Sequence, residues 1–482
     1  MSEVAPLGGR GGSVGRPADL DLSRAWIVDP ATGRQGPGEL VVRGGTLEGL
    51  AWLEGRAAAG IDDRGVVVTP GFVDLHAHLR EPGDPAAETI ATGLAAAAHG
   101  GFTTVCAMPN TSPPTDSPAM IGAFQARVAA SGSPVRALPY GAATAGRAGE
   151  QLAPLAALAA AGAIGLTDDG SPIQAAPILA NLLAYAGMLG LPVVDHPEDP
   201  SLTAGAEASD GLVATVLGLR AWPVAAEIGA VARDLAVLAD VVRDEPRARL
   251  HLTHLSTAGA LELVRRAKAA GLPVTCDVTP HHLGLTDEWL AGARRFAWQA
   301  LGDGVPGHPW RDGVIAAEPF DPALRVNPPL RGPVDAEACA AALRDGTADA
   351  IATDHAPHSA VDKDVEFGRA ANGISGIETA LGLVLEVVDA GCLPLAAAIA
   401  ALTTGPARVL GPSAPGAPPT LGRLVVGAPA DLVVFDRSTR WAVTSDSLLS
   451  RGKHSPLVGF DLPGQVLLTL AAGRVAYEAA AD

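Results

Sequence analysis

The chain has 482 residues, 48% of them apolar, which suits one large domain and a smaller companion. A formal net charge of −18 excludes a nucleic-acid or anionic-membrane surface as the partner, so an anionic small molecule would have to be met by a local cationic pocket. No uncharged apolar run reaches the roughly 18 residues of a membrane span, no apolar leader opens the chain, and the scattered Cys106, Cys276, Cys339 and Cys392 form no CxxC pair; these features predict a cytoplasmic protein with reduced thiols.

Residues 1–18 are Gly-rich and polar and read as a disordered tail. Their "GGRGGSVG" is not a phosphate loop, because no strand precedes it and no helix follows. From 19 to 70, short β-like runs such as "RAWIVD" and "ELVVRGG" alternate with turn residues. Eight apolar runs follow: "GFVDLHAH", "GFTTVCAMPN", "VRALPYGA", "AIGLTDDG", "LPVVDHPED", "RLHLTHLST", "LPVTCDVTP" and "DAIATDHAPH". Between most of them lie Ala/Leu-rich helical patterns that end in Gly, and continuous rather than alternating apolarity marks strands buried on both faces. Eight such β–α units over 71–419 predict a TIM (β/α)8 barrel. Beyond about 420 the pattern is β again ("GRLVVGAPADLVVFD", "GQVLLTLAAGRVAYE"), so 19–70 and 420–482 are expected to pair into one composite β-sandwich beside the barrel.

Barrel chemistry gathers at the C-terminal strand ends. His76 and His78 end the first strand, and their i, i+2 spacing sets both on one face. Asp168–Asp169 end the fourth, His196 the fifth, His254 the sixth and Asp354 the eighth. Singly, a strand-end aspartate is a helix cap and a lone histidine a satisfied core residue. Converging on one rim, four imidazoles and two carboxylates make a ligand set sufficient for two zinc-like divalent ions. Of the other histidines, His251 reads as structural, His99 as surface, His281 and His282 as residues behind the site, and His355 as a hydrogen-bonding neighbour of Asp354.

The ordered series "HAHLREPG", "MPNT", "TDDG", "DHPED", "HLST", "VTPHHL", "NPPLR", "TDHAPH" and "GISGIET" resembles the dihydroorotases of the amidohydrolase superfamily, the longer bacterial type with a second β-domain. The resemblance runs from about 60 to 475. It implies that His76, His78, Asp169, His196, His254 and Asp354 hold the metal, and it selects Asp169 over Asp168. It implies Zn2+, two per chain, and hydrolysis of the cyclic amide of L-dihydroorotate to N-carbamoyl-L-aspartate by a metal-activated hydroxide, with Asp354 as general acid and base. Arg80, Asn110, Asn327, His358, Asn372 and Gly373 would hold the substrate; an arginine fork suits its carboxylate and asparagines suit its ring amides. A homo-oligomer and a complex with aspartate transcarbamoylase are the partners implied.

Three departures stand out: Pro197 where the family has cysteine, Asn372 where an aromatic is usual, and a long connection over 289–321 that reads as a lid, a contact surface or a tolerated loop. Many binuclear relatives in the superfamily bridge their metals with a carboxylated lysine on strand four. Here no lysine precedes Lys268, and Lys363 and Lys453 lie beyond strand eight, so a carboxylate is expected to bridge. Two other readings compete: a hydantoinase- or allantoinase-like hydrolase, against which Arg80 and Asn110 speak, and a silent subunit scaffolding a transcarbamoylase, against which the complete ligand set speaks.

Overall fold

A computed structural model describes residues 14–300 and 317–480. Eight parallel strands form the barrel: Phe72–Ala77, Phe102–Ala107, Arg136–Pro139 continuing as Gly141–Ala142, Leu166–Thr167, Val193–Asp195, Leu250–Leu252, Val274–Val278 and Ala350–Ile351. They pair in sequence order, Val105 opposite Ala137, Val193 opposite Leu250 and Asp277 opposite Ala350. The ring closes where Ala77 bridges His355 and the His78 N–H donates to the His355 carbonyl at 2.8 Å. Every residue of the first two strands is buried, as their unbroken apolarity requires. Val73, Leu75, Cys106, Leu138, Tyr140, Val194, Ala350 and Ala352 join one core cluster with Val409, Leu410 and Leu421 from the segment that follows the barrel.

The terminal segments build a single seven-stranded sheet in the spatial order Arg474–Glu478, Asp461–Ala471, Leu432–Ala442, Val66–Pro70, Leu20–Asp29, Arg34–Arg43, Thr46–Trp52. It is antiparallel except where Leu20–Asp29 runs beside Val66–Pro70. One face packs on itself: Ile27, Leu40, Val42, Leu47, Val68, Leu432, Val434, Leu468 and Leu470 form one cluster. Its two edges meet, the Leu47 N–H donating to the Ala428 carbonyl and the Ala18 N–H to the Gly473 carbonyl, both at 3.0 Å. Gly45 and Gly473 make this seam possible, since a Cβ on either would lie 2.4 Å from the other's carbonyl oxygen. The sheet's other face presents Val433, Phe435 and Val466 to Phe72 and Phe102 of the barrel.

Two expectations need correction. The tail does not run to 18: Gly15 and Ala18 are hydrogen bonded to the last strand and Ala18 is buried, while residues 1–13 lie outside the described residues. His99 is not a surface residue. Its Nδ1 lies 2.6 Å from Glu378 Oε1 and its ring packs on Trp441 and Tyr477, where barrel and sheet meet. Of the connection over 289–321, Trp289, Leu290 and Phe296 are buried against Val443, Leu448 and Leu457, with the Trp289 and Phe460 rings 5.3 Å apart; its stretch 301–316 lies outside the described residues.

Candidate active site

Three strand ends, those of strands one, four and five, place His76, His78, Asp169 and His196, and the turns after strands six and eight place the others. His254 (φ 41°), Asp354 (φ 45°) and Arg80 (φ 56°) all adopt left-handed backbone conformations that non-glycine residues seldom hold. Strain of this kind concentrates where a side chain must be aimed, and Asp277 helps impose it by accepting the His254 N–H at 2.6 Å.

The six predicted ligands converge. His76 Nε2 lies 3.3 Å from both Asp169 Oδ2 and Asp354 Oδ1; His78 Nε2 lies 3.6 and 3.2 Å from the same two oxygens. On the other side, His196 Nδ1 and His254 Nε2 stand 3.5 and 3.7 Å from Asp169 Oδ1. Asp169 therefore turns one oxygen toward each pair of imidazoles. All six side chains are buried, and Asp169 Oδ1 and His196 Nδ1 have no hydrogen-bond partner. Orphaned buried acceptors facing one another are costly unless something positive lies between them, and N/O donors at this spacing fit a divalent cation. Asp168 plays a different part: it accepts the Ala143 and Thr144 N–H groups and the Thr144 hydroxyl, tying strand four to strand three. Asp74, although two residues before His76, bonds to the Thr353 N–H and hydroxyl and stays out of the cluster.

Hydrogen bonds behind the ligands fix which nitrogen faces inward. His76 Nδ1 meets Thr253 Oγ1 and His78 Nδ1 meets Asn110 Oδ1, each at 2.8 Å, leaving both Nε2 atoms toward the cluster. His196 is reversed: Nε2 bonds Glu198 Oε2 at 3.0 Å and Nδ1 faces Asp169. Glu198 Oε2 also accepts Asn327 Nδ2 at 2.8 Å. Burial opposes ionisation of Glu198, but His196 outweighs it and holds the carboxyl down at about 2. For Asp354 burial is likewise outweighed, by His76 and His78, and its carboxyl sits below the usual carboxylate range.

Arg80 Nε donates to the Pro357 carbonyl at 3.0 Å, and its Nη2 lies 3.2 Å from His358 Nε2. Burial, and then Arg80, push His358 down to about 4, so the imidazole is neutral at pH 7. Its Nε2 reaches the Asn372 carbonyl at 2.8 Å. The Gly373 N–H donates to the Arg325 carbonyl, and a Cβ there would meet the Ala356 oxygen at 2.3 Å. Two polar backbone groups of the Asn372–Gly373 wall are thus already engaged within the protein.

Sequence reasoning passed over two residues. Glu198 stands in plain view two positions after His196, and a carboxylate beside a candidate ligand was the available signal. Arg147 gave no signal; its Nη2 binds the Asp169 carbonyl and Ser171 Oγ, bracing the turn that carries Asp169. His281, expected behind the site, is buried with an unpartnered Nε2, and His282 is tied to Thr279 and the Pro328 carbonyl.

Residues 65–257 match the family described as Dihydro-orotase-like. The dihydroorotase of Anaeromyxobacter dehalogenans is 43% identical over 461 residues, covering 95% of this chain and 98% of its own. That of Geobacter sp. strain M21 is 40% identical, covering 96% and 100%. Among solved structures, the L-hydantoinase of Arthrobacter aurescens superposes with a TM-score of 0.74 at 23% identity over 94% of each chain, and a dihydropyrimidinase from Brevibacillus agri with 0.72 at 19% over 96% and 95%; these likenesses bear on the fold. Full-length relatives at this identity place the chain in the dihydroorotase family.

Proposed function

We propose that the chain hydrolyses, reversibly, the cyclic amide of L-dihydroorotate, and that the six converging side chains, Asp169 with one oxygen toward each imidazole pair, would hold two zinc ions. The observation that carries this reading is the pairing of a buried ligand cluster with Arg80, the guanidinium on the same strand-one turn, in a chain otherwise strongly acidic. Bound there, the ions would lower the pKa of water and polarise the ring carbonyl.

The chain's own groups do the rest. The N–H groups of Arg80 not engaged by Pro357 or His358 would serve the substrate carboxylate. Asn110, with Oδ1 held by His78, offers its Nδ2 as a donor to that carboxylate. Asn327, with Nδ2 held by Glu198, offers its Oδ1 as an acceptor for a ring N–H. The two asparagines thus present opposite polarities, an orientation assigned from their hydrogen bonds. Asp354 directs Oδ1 at His76 and His78, so Oδ2 is free to collect the proton from the attacking water and return it to the ring nitrogen as the C–N bond breaks.

Dihydrouracil is the same ring without the carboxylate, and it separates this reading from a hydantoinase-like one. The purified, zinc-loaded chain should turn over dihydroorotate in strong preference to dihydrouracil, followed by absorbance. Equal rates on the two would contradict the assignment.

A further inference from the structure

Lys363 has no part in the chemistry above, yet it is among the largest fully buried side chains in the molecule. It ends the short helix Ala360–Lys363, between His358 and the Asn372–Gly373 wall. Its Nζ donates to the Pro322 carbonyl at 2.9 Å and to the Arg325 carbonyl at 3.0 Å. No carboxylate among the described residues forms a salt bridge with it; Asp321, next to Pro322, favours its charge through space but is itself bridged to Arg294. The Arg325 carbonyl is shared, since it also accepts the Gly373 N–H at 2.9 Å. Two residues on from Arg325 stands Asn327.

A lysine buried without a counter-ion is expensive, and where packing alone is wanted an apolar side chain of similar length does better. Burial pushes this one down to about 7, so its charge is weakly held near neutral pH while its N–H groups serve two carbonyl acceptors. What the position gains is a junction. One side chain clamps the irregular segment that presents Asn327 to the loop that presents His358, Asn372 and Gly373, and these are the two sides of the slot where the ring would lie.

We infer that Lys363 is a positioning residue for the substrate, setting the distance between Asn327 and the Asn372–Gly373 wall through the shared Arg325 carbonyl. The inference rests on the proposed assignment of those segments to substrate. Lys363→Met removes the donors at similar volume, and Lys363→Gln keeps one of them. Metal content, steady-state constants on dihydroorotate, and hydrogen exchange of peptides over 320–330 and 370–376 are measured for each. In the Met variant the metal content should be unchanged, KM should rise roughly tenfold, the scale of one lost hydrogen bond, and kcat should stay within about threefold. Both peptides should exchange faster, with Gln intermediate; if the Met protein does not fold, Gln carries the comparison. A variant that is merely less stable, with unchanged KM and unchanged local exchange, would overturn the inference. If the wild type fails to turn over dihydroorotate, the functional reading falls instead, and the exchange of the two segments alone decides whether the clamp exists.

Discussion

Asp354 faces two imidazoles through one oxygen, and in the proposed reaction its other oxygen carries the proton. Asp354→Asn should keep the fold and most of the metal but lose about 10²- to 10⁴-fold in turnover, because an amide cannot cycle a proton. Turnover within a few-fold of the parent, measured by dihydroorotate hydrolysis at equal metal content, would remove Asp354 from that role. Arg80→Met should weaken dihydroorotate binding by about 1.5–3 kcal/mol, the scale of a hydrogen bond to a charged group, with metal content unchanged. If dihydrouracil loses as much affinity, Arg80 is not reading the carboxylate. At this scale the candidate ligands were legible because strand-end position and residue type coincide at His76, His78, His196, His254 and Asp354. Amide orientation was not legible: the polarity of Asn327 is set by Glu198, 129 positions away, and no local pattern encodes such a pair.

Among elements, the eight barrel strands could be read directly, since burial on both faces writes itself as unbroken apolarity. The interruption of strand three at Tyr140 could not, nor could the small parallel ribbon of Ala208–Ser209 and Ala221–Trp222 on the rim, because two-residue strands carry no periodicity. Pairing of Gly15–Ala18 with the last strand was hidden by the glycine-rich composition around it. The turn Asp287–Ala291, which leads into the long connection, holds a testable group. Burial, and then Glu288, raise the Asp287 carboxyl from 3.8 to about 7. Its folded pKa lies above its unfolded one, so the cost of burying the charge is absent below about pH 4, grows between about 4 and 7, and is complete above 7. Asp287→Asn should therefore be more stable than the parent at pH 8 and indistinguishable from it near pH 4 in denaturant titrations. An equal difference at both pH values would show that Asp287 is ionised throughout.

For the molecule as a whole, the acidic balance and the near absence of lysine bear on one question, namely what would hold the two proposed ions together. Each lysine is committed elsewhere: Lys268 to Asp349, Lys363 to the Pro322 and Arg325 carbonyls, and Lys453 to the Leu448 carbonyl. None stands at strand four, where Asp169 offers an oxygen to each imidazole pair and needs no carbon dioxide to become a ligand. The most direct measurement is a zinc titration of the metal-stripped full chain in bicarbonate-free buffer, following dihydroorotate hydrolysis by absorbance. Activity should appear on zinc alone and saturate at about two equivalents per chain. Silence at every zinc level, or activity that returns only when bicarbonate is added, would contradict a carboxylate-bridged, zinc-dependent dihydroorotase.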